Sequence, residues 1–414
     1  MNFQSGLSGL QATSKNLDVI GNNVANSGTY GAKSSRAEFA DLYANAMNGA
    51  GSGSVGIGVT VANIAQQFTQ GTITSTENPL DLAINGSGFF QVKDSAGSIS
   101  YTRNGQFKLD KSGYIVNNAG QQLQGYKANA SGEIIQGAAT ALQLPTAPIA
   151  PKFTEEVAME FNLDSRGDAT QTSTPAVIDF DDPNTYNNAT STTVYDQQGN
   201  PVSLSMYYQK STTANTWNVY VTADGTSLSG TSPYTTMEFA ADGTTPTIPA
   251  AGQFLNIPAS ATGAHQAISN IALDMSQATQ YGAKFSVTDL TQDGYAPGSL
   301  SSLSIDDTGV ISANYSNGLT KDAGQLELAT FRNPQGLQAV GGNVWVQTYA
   351  SGDPVVGTPT SGTMGSLQEG SLEESNVDLT GELVNMITAQ RAYQANAQTI
   401  KTQDSVLQTL VSLR

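Results

Sequence analysis

The chain has no cysteine and one histidine, His265. The first absence excludes disulfides, thiolate nucleophiles, iron–sulfur clusters and cysteine-based zinc sites. The second excludes any metal motif built on a histidine pair. Charge is scarce: only 12% of the 414 residues carry it, about half the usual share, and 17 Lys and Arg face 34 Asp and Glu for a net −17. So acidic a chain offers no basic patch to displace counterions from nucleic acid, and an anionic lipid surface is disfavoured for the same reason. No window holds 18 consecutive apolar residues, so no membrane-spanning helix is expected. The opening run, MNFQSGLSGLQATSKNLDVI, reaches its first basic residue only at Lys15 and lacks a continuous apolar stretch. It does not read as a general secretory signal; an extracellular location would require another route.

Both ends read as helix. Phe3, Leu10, Leu17 and Val24 recur every seven residues with Leu7 as companion, the stripe an amphipathic helix needs to pack on a partner. Gly6, Gly9 and Gly21 weaken this segment by roughly 0.5–1 kcal/mol each relative to Ala, so it depends on what it packs against. From Val377 onward the same spacing returns in Leu379, Met386, Tyr393, Ile400 and Leu407, with Leu383, Ala397 and Val411 in a second row. A helix of that length runs roughly 55 Å, too long for one small domain to bury. Gln390 and Asp404 interrupt the second row, which predicts a multi-helix or partly wet environment rather than a dry two-stranded seam.

Between the ends the pattern is strand and turn. Asp-x-x-Gly follows a hydrophobic stretch at Asp94, Asp110, Asp196 and Asp306; the Asp side chain caps the turn and Gly supplies positive φ, so each predicts a hairpin. A Gly/Ser/Ala stretch at 48–58, the prolines Pro145, Pro148 and Pro151, and a Gly/Pro/Ser/Thr stretch at 351–365 mark composition boundaries. They predict nested, discontinuous domains: 1–70 with 360–414 as a terminal helical part, 71–145 with 291–359 as a β domain in two pieces, and 146–290 as an inserted all-β domain. The fold class expected is mainly β with α-helical termini.

Enzymatic signals are weak. Gly51-Ser-Gly-Ser-Val-Gly56 matches a dinucleotide fingerprint but follows a helical region and leads into strand, the reverse of the required context. Asp307-Thr-Gly309 lacks the second carboxylate an acid protease shares a proton with. His265 sits in a loop-like run with no nucleophile elbow nearby. The acidic run Asp179 to Asp182 lacks the Gly and final Glu of a calcium loop. Trp217 and Trp345 lie in alternating patterns and read as core. No catalytic, cofactor-binding or metal-binding residue is therefore expected.

Three stretches resemble the bacterial flagellar rod and hook family: NNVANSGTYGAKSSRAEFADLYANA from Asn22 to Ala46, DLAINGSGFF through to QLQGY from Asp81 to Tyr126, and LEESNVDLTGELVNMITAQRAYQANAQTIKTQDSVLQTLVSLR from Leu372 to Arg414. The insert from about residue 145 to 290 exceeds a short rod protein and points to the hook members. The resemblance implies a homo-polymer outside the cell, a flexible tube that passes torque from rod to filament, with terminal helices as a coiled-coil-like inner layer and two all-β outer domains. It implies export through the flagellar type III apparatus, and as partners a distal rod protein, a hook cap protein and a hook-filament junction protein, with no nucleic acid, no membrane insertion and no cofactor. Phe39-Ala-Asp-Leu-Tyr43 resembles the family's export-gate motif, so Phe39 and Tyr43 would be its recognition residues. Ala32 departs from the family signature, which usually has an aromatic there. The alternatives are a secreted β-rich adhesin or carbohydrate-binding protein, and a distal-rod axial protein.

Residues 1–40 sum to +1 and residues 376–414 to zero, which leaves −18 for the middle. Near-neutral ends can crowd together while the acidic middle repels its copies. Added salt is expected to accelerate assembly by screening that repulsion. Light scattering at low and high sodium chloride checks this; a rate independent of salt counts against it.

Overall fold

The computed structural model describes residues 3–42, 58–129, 131–173, 176–244, 246–249 and 253–412, the side chains of Phe3, Leu410 and Ser412 excepted. The fingerprint-like glycines at 51–56, set aside above, and Tyr43 of the export-gate resemblance lie outside these residues. The chain forms two compact units. Unit 1 comprises 1–146, 302–314 and 320–414; unit 2 comprises 147–301 and 315–319.

Unit 1 opens with helix α1 (Phe3–Ala25) and a long hairpin, β1 (Ser35–Leu42) antiparallel to β2 (Gly58–Gln66). It closes with helix α2 (Leu379–Ser412). Asp378 caps α2, its side chain accepting the Thr380 N–H at 3.1 Å, which satisfies one of the orphan donors of the first turn. Between the helices lies a β body. Its main sheet runs through Thr320–Leu326, Gln122–Lys127, Phe89–Lys93, Ile99–Thr102, Val344–Val346 and Gln338–Gly341. Phe89 and Phe90, adjacent on one strand, point to opposite faces. Phe90 enters a core with Leu82, Ile84, Phe107, Leu123 and Leu326, while Phe89 joins Tyr101, Phe331, Trp345 and Phe68 in an edge-to-face aromatic cluster. Two short antiparallel ladders bind the approach to α2 onto the first β block: Ser366–Glu369 on Leu82–Asn85, and Ser371–Glu373 on Ile73–Ser75.

Unit 2 is a pair of sheets over one core. A four-stranded sheet carries Glu156–Asn162 and Ile268–Asp274, and a five-stranded sheet carries Pro201–Lys210 and Thr216–Ala223. Burial alternates along Glu156–Asn162 and most of Pro201–Lys210, the period-2 pattern of a strand with one face inward. Val157, Met159 and Phe161 from the first sheet meet Leu204, Met206, Tyr208 and the fully buried Trp217 from the second.

The four Asp turns have the expected chemistry. In each, one Asp oxygen accepts backbone N–H groups two and four residues on, and the Gly has positive φ, from +80° at Gly309 to +93° at Gly97. Asn117 and Asn129 build the same turn with Gly120 and Gly132, because an amide oxygen accepts as a carboxylate does.

Glu327 is the odd group in this body. It is buried, accepts the Tyr126 hydroxyl at 3.0 Å on one oxygen, and has no partner for the other among the described residues. Burial pushes its carboxyl above the ordinary 4.5, with the Tyr126 hydrogen bond opposing. The folded pKa exceeds the unfolded one, so the stability Glu327 contributes is complete below the ordinary glutamate range and is lost as pH rises through the raised value. Glu327→Gln is expected to remove that decline. Urea unfolding of both proteins at about pH 4 and pH 8 checks it; superimposable pH profiles would contradict it.

Candidate functional site

The two terminal helices run antiparallel, with the start of α1 beside the later part of α2: Gly6 lies against Ile400, Gly9 against Asn396, and Asn23 against Glu382. The seam sets glycines and polar side chains beside the larger Ile400. A Cβ built on Gly9 would lie 3.1 Å from Asn396, and one on Gly6 would lie 3.2 Å from Ile400. Glycine at these positions therefore leaves room for the Ile400 and Asn396 side chains to lie directly on the α1 backbone. Ala12, Val19, Ile20 and Asn23 form the buried side of α1, and Ala389 is the buried residue of α2.

The sevenfold stripes lie elsewhere on the two cylinders. On α1, Leu7 is exposed, Leu10, Leu17 and Val24 are half-buried, and Phe3 belongs to the helix. On α2, Leu379, Leu383, Tyr393 and Leu407 are exposed, Met386 is half-buried, and Ile400 packs on α1 at Gly6. Val384, Ile387, Val406 and Val411 extend the exposed apolar surface. Gln390 and Asp404, the polar interruptions, face solvent. The geometry thus separates an intramolecular seam from a set of apolar side chains on α2 that the described residues leave exposed.

Sequence reasoning counted the helix glycines as weaknesses and did not single out Asn23. Asn23 is buried where α1 ends; its Nδ2 donates to the Ser35 carbonyl at 2.8 Å and to Glu382 Oε1 at 3.1 Å, and its Oδ1 accepts the Ser35 N–H at 2.8 Å. One amide therefore ties α1, β1 and α2. Its signal in the sequence was only the Asn-Asn pair opening the quoted signature.

Phe39, which the family resemblance makes an expected export-gate residue, stands on β1 opposite Val61, with 43% of its surface exposed. It borders an open cleft of about 550 Å³ with Thr13, Asn16, Glu382 and Ala389. Ala32 is buried beside a cleft of about 310 Å³ that Trp345 and Asn343 also line. The turn around it is pinned: Gly31 takes φ +69° with its α-carbon against the Arg103–Asn104 backbone, and Asn343 Nδ2 donates to the Tyr30 carbonyl at 3.0 Å. In unit 2, His265 Nε2 lies 3.5 Å from Asp224. Among the described residues no three His, Asp or Glu side chains converge as metal ligands, and no helix is long and apolar enough to cross a membrane.

Family models match along the chain. Residues 3–33 match the flagella basal body rod protein, 83–171 the flagellar hook protein FlgE/F/G D1 domain, 162–295 the flagellar basal body protein FlaE D2 domain, and 368–413 the flagellar basal body rod FlgEFG protein C-terminal model. Terminal helices of this kind around β domains of this kind define an axial protein of the bacterial flagellum. Full-length relatives narrow the class. The chain is 46% identical to the flagellar hook protein FlgE of Escherichia coli (strain K12) and 44% identical to that of Salmonella typhimurium, with all of both chains covered in each case. It is 33% identical to that of Borreliella burgdorferi over 99% of this chain and 98% of the other. The chain belongs to the flagellar hook protein FlgE family: a structural protein of motility, placed outside the cell in the flagellar hook. The crystal structure of Helicobacter pylori FlgE2, at 14% identity, shares the fold with a TM-score of 0.54 over 72% of this chain and all of that one.

Asn23→Leu is expected to strand the Ser35 N–H and carbonyl and to free Glu382, at a cost of about 1–3 kcal/mol. Hydrogen exchange at Ser35 and thermal melting of the full chain check it. Unchanged protection would show that the amide does not hold the junction.

Proposed function

We propose that this chain is the repeating subunit of the hook, passing unfolded through the flagellar type III exporter and polymerising into a short flexible tube that carries torque from rod to filament. The observation that carries the reading is the exposed apolar surface of the helix pair. Leu7, Leu379, Leu383, Val384, Ile387, Tyr393 and Leu407 are exposed among the described residues, and large apolar side chains gathered on one helix pair mark an interaction site. A surface that meets a different surface of the next copy, a heterologous contact, generates an open helical array when the rotation does not close into a ring. The stripe positions Phe3, Leu7, Leu10, Leu17, Val24, Leu379, Leu383, Met386, Tyr393, Ile400 and Leu407 are the assembly residues in this reading, with Phe39 and Tyr43 engaging the export gate.

The role is mechanical, and no bond is made or broken. The terminal helices form the inner layer, and the β domains at 71–145 with 291–359 and at 146–290 lie outside it. The distal rod protein, the hook cap and the hook-filament junction protein are the hetero-partners at the two ends of the tube, and the rest of the contact is with further copies.

Leu383→Asp tests this, because the side chain is already 45% exposed in the subunit and its loss leaves the monomer intact. Removing a leucine-sized contact of about 1.5–3 kcal/mol raises the critical concentration roughly ten- to a hundredfold, and a charge buried in its place adds to the deficit. Electron microscopy is expected to show no tubes from Leu383→Asp or Met386→Asp at concentrations where the unchanged chain forms them, with Leu383→Asp melting as before. Wild-type tubes from either variant would refute the placement.

A further inference from the structure

Three charged side chains from distant parts of the chain meet inside unit 1, and the apolar surface of the helices makes no use of them. Lys33 and Glu373 have fully buried side chains, and Arg103 is 5% exposed. Lys33 Nζ lies 2.6 Å from Glu373 Oε1, and Arg103 Nη1 lies 3.1 Å from Glu373 Oε2. One carboxylate thus holds two cations. Backbone groups add to the cluster: Lys33 Nζ donates to the Thr69 carbonyl at 2.7 Å, Arg103 Nη2 to the Gly86 carbonyl at 2.7 Å, and the Gly71 N–H donates to Glu373 Oε1 at 2.9 Å.

Such a cluster is a poor device for stability alone. Desolvating each ion costs several kcal/mol, and replacing a buried ion cluster by apolar side chains of similar volume is often neutral or stabilising. What the cluster has is position. Lys33 lies eight residues beyond the end of α1, and Glu373 lies six before the start of α2. Around them the two connectors are sewn together: the Glu373 carbonyl accepts the Gly31 N–H at 2.8 Å, Asn376 Oδ1 accepts the Ser34 N–H at 2.7 Å, and Asn376 Nδ2 donates to the Gln67 carbonyl at 2.7 Å. Arg103 anchors the group to the strand Ile99–Thr102 and stands over the Phe89 ring at 5.5 Å.

We propose that Lys33, Arg103 and Glu373 form a positioning element for assembly, a charged node that fixes where and in which direction the helix pair leaves the β body, so that every copy presents its apolar surface at the same angle. This rests on the polymer reading above. The node acts through the helices and makes no intersubunit contact itself.

The test uses the full chain and two variants. Glu373→Asp keeps the charge but shortens the side chain by one methylene, so it cannot reach both cations in the same geometry. The triple variant Lys33→Met, Arg103→Met, Glu373→Met removes the ions and keeps the volume. Hydrogen exchange across Phe89–Lys93 reports the fold of the β body, and electron microscopy with sedimentation reports tubes and critical concentration. Expected are a protected β body in both variants and a critical concentration at least tenfold above that of the unchanged chain, or tubes of altered diameter. Wild-type tubes at wild-type concentration from either variant would overturn the positioning role. Loss of protection in both would make the cluster a folding element and overturn it equally. An unchanged chain that forms no tubes at any salt would defeat the polymer reading itself, and this inference with it.

Discussion

A helix has one circumference, and on α1 and α2 it is divided between two uses. The seam takes the face where Gly6 and Gly9 receive Ile400 and Asn396 and where Asn23 meets Glu382, while Leu379, Leu383 and Leu407 of α2 are left exposed. Had the seam been built from the leucines, the pair would be more stable alone and would have little apolar surface left. A seam of glycines and polar pairs, with these leucines outside it, gives a helix pair that is complete enough to have a direction and incomplete enough to need neighbours. The hairpin, the capped start of α2 and the buried node at Glu373 all serve to hold that pair where its outer face is presented.

The two units solve stability differently. Unit 2 buries a continuous core between two sheets, with strands whose burial alternates in the ordinary way. Unit 1 spreads its apolar contacts over an aliphatic core, a separate aromatic cluster and the helix seam, and joins them with polar stitches at Asn23, Asn376 and Lys33. Polar stitches are directional where apolar contacts are not. A chain that keeps one unit intact and holds a helix pair in place in the other has reason to use each where it does.

Much of this was legible in the residues. Asp-x-x-Gly marks a turn by chemistry confined to four residues, and all four such turns are present. Trp217 and Trp345 announced themselves by alternation, and sevenfold spacing located both helices. The seam was not legible, because glycine has a propensity cost in any helix and its compensation exists only once Ile400 and Asn396 stand opposite. Nor was the Asn form of the turn singled out at Asn117 and Asn129, where the amide replaces the carboxylate. Lys33, Arg103 and Glu373 are separated by 70 and 270 positions, and no local pattern reveals that one carboxylate will serve two distant cations. Local rules find elements; they do not find the appointments that distant residues keep.

One of those appointments bears on how the molecule is made. Ile73 pairs with Glu373 and Leu82 with Glu369, so the loops these ladders close enclose most of the chain, unit 2 included. Closure entropy grows only slowly with loop length, but the partners must both be present, and contacts so far apart in sequence form late. A chain delivered end first through a narrow passage therefore cannot finish unit 1 until almost all of it has emerged, whichever end leads. Unit 2, whose strands lie within one continuous stretch, is free to fold earlier. The last act of folding then coincides with the docking of the terminal helices, so a subunit still in transit has no finished helix pair with which to polymerise.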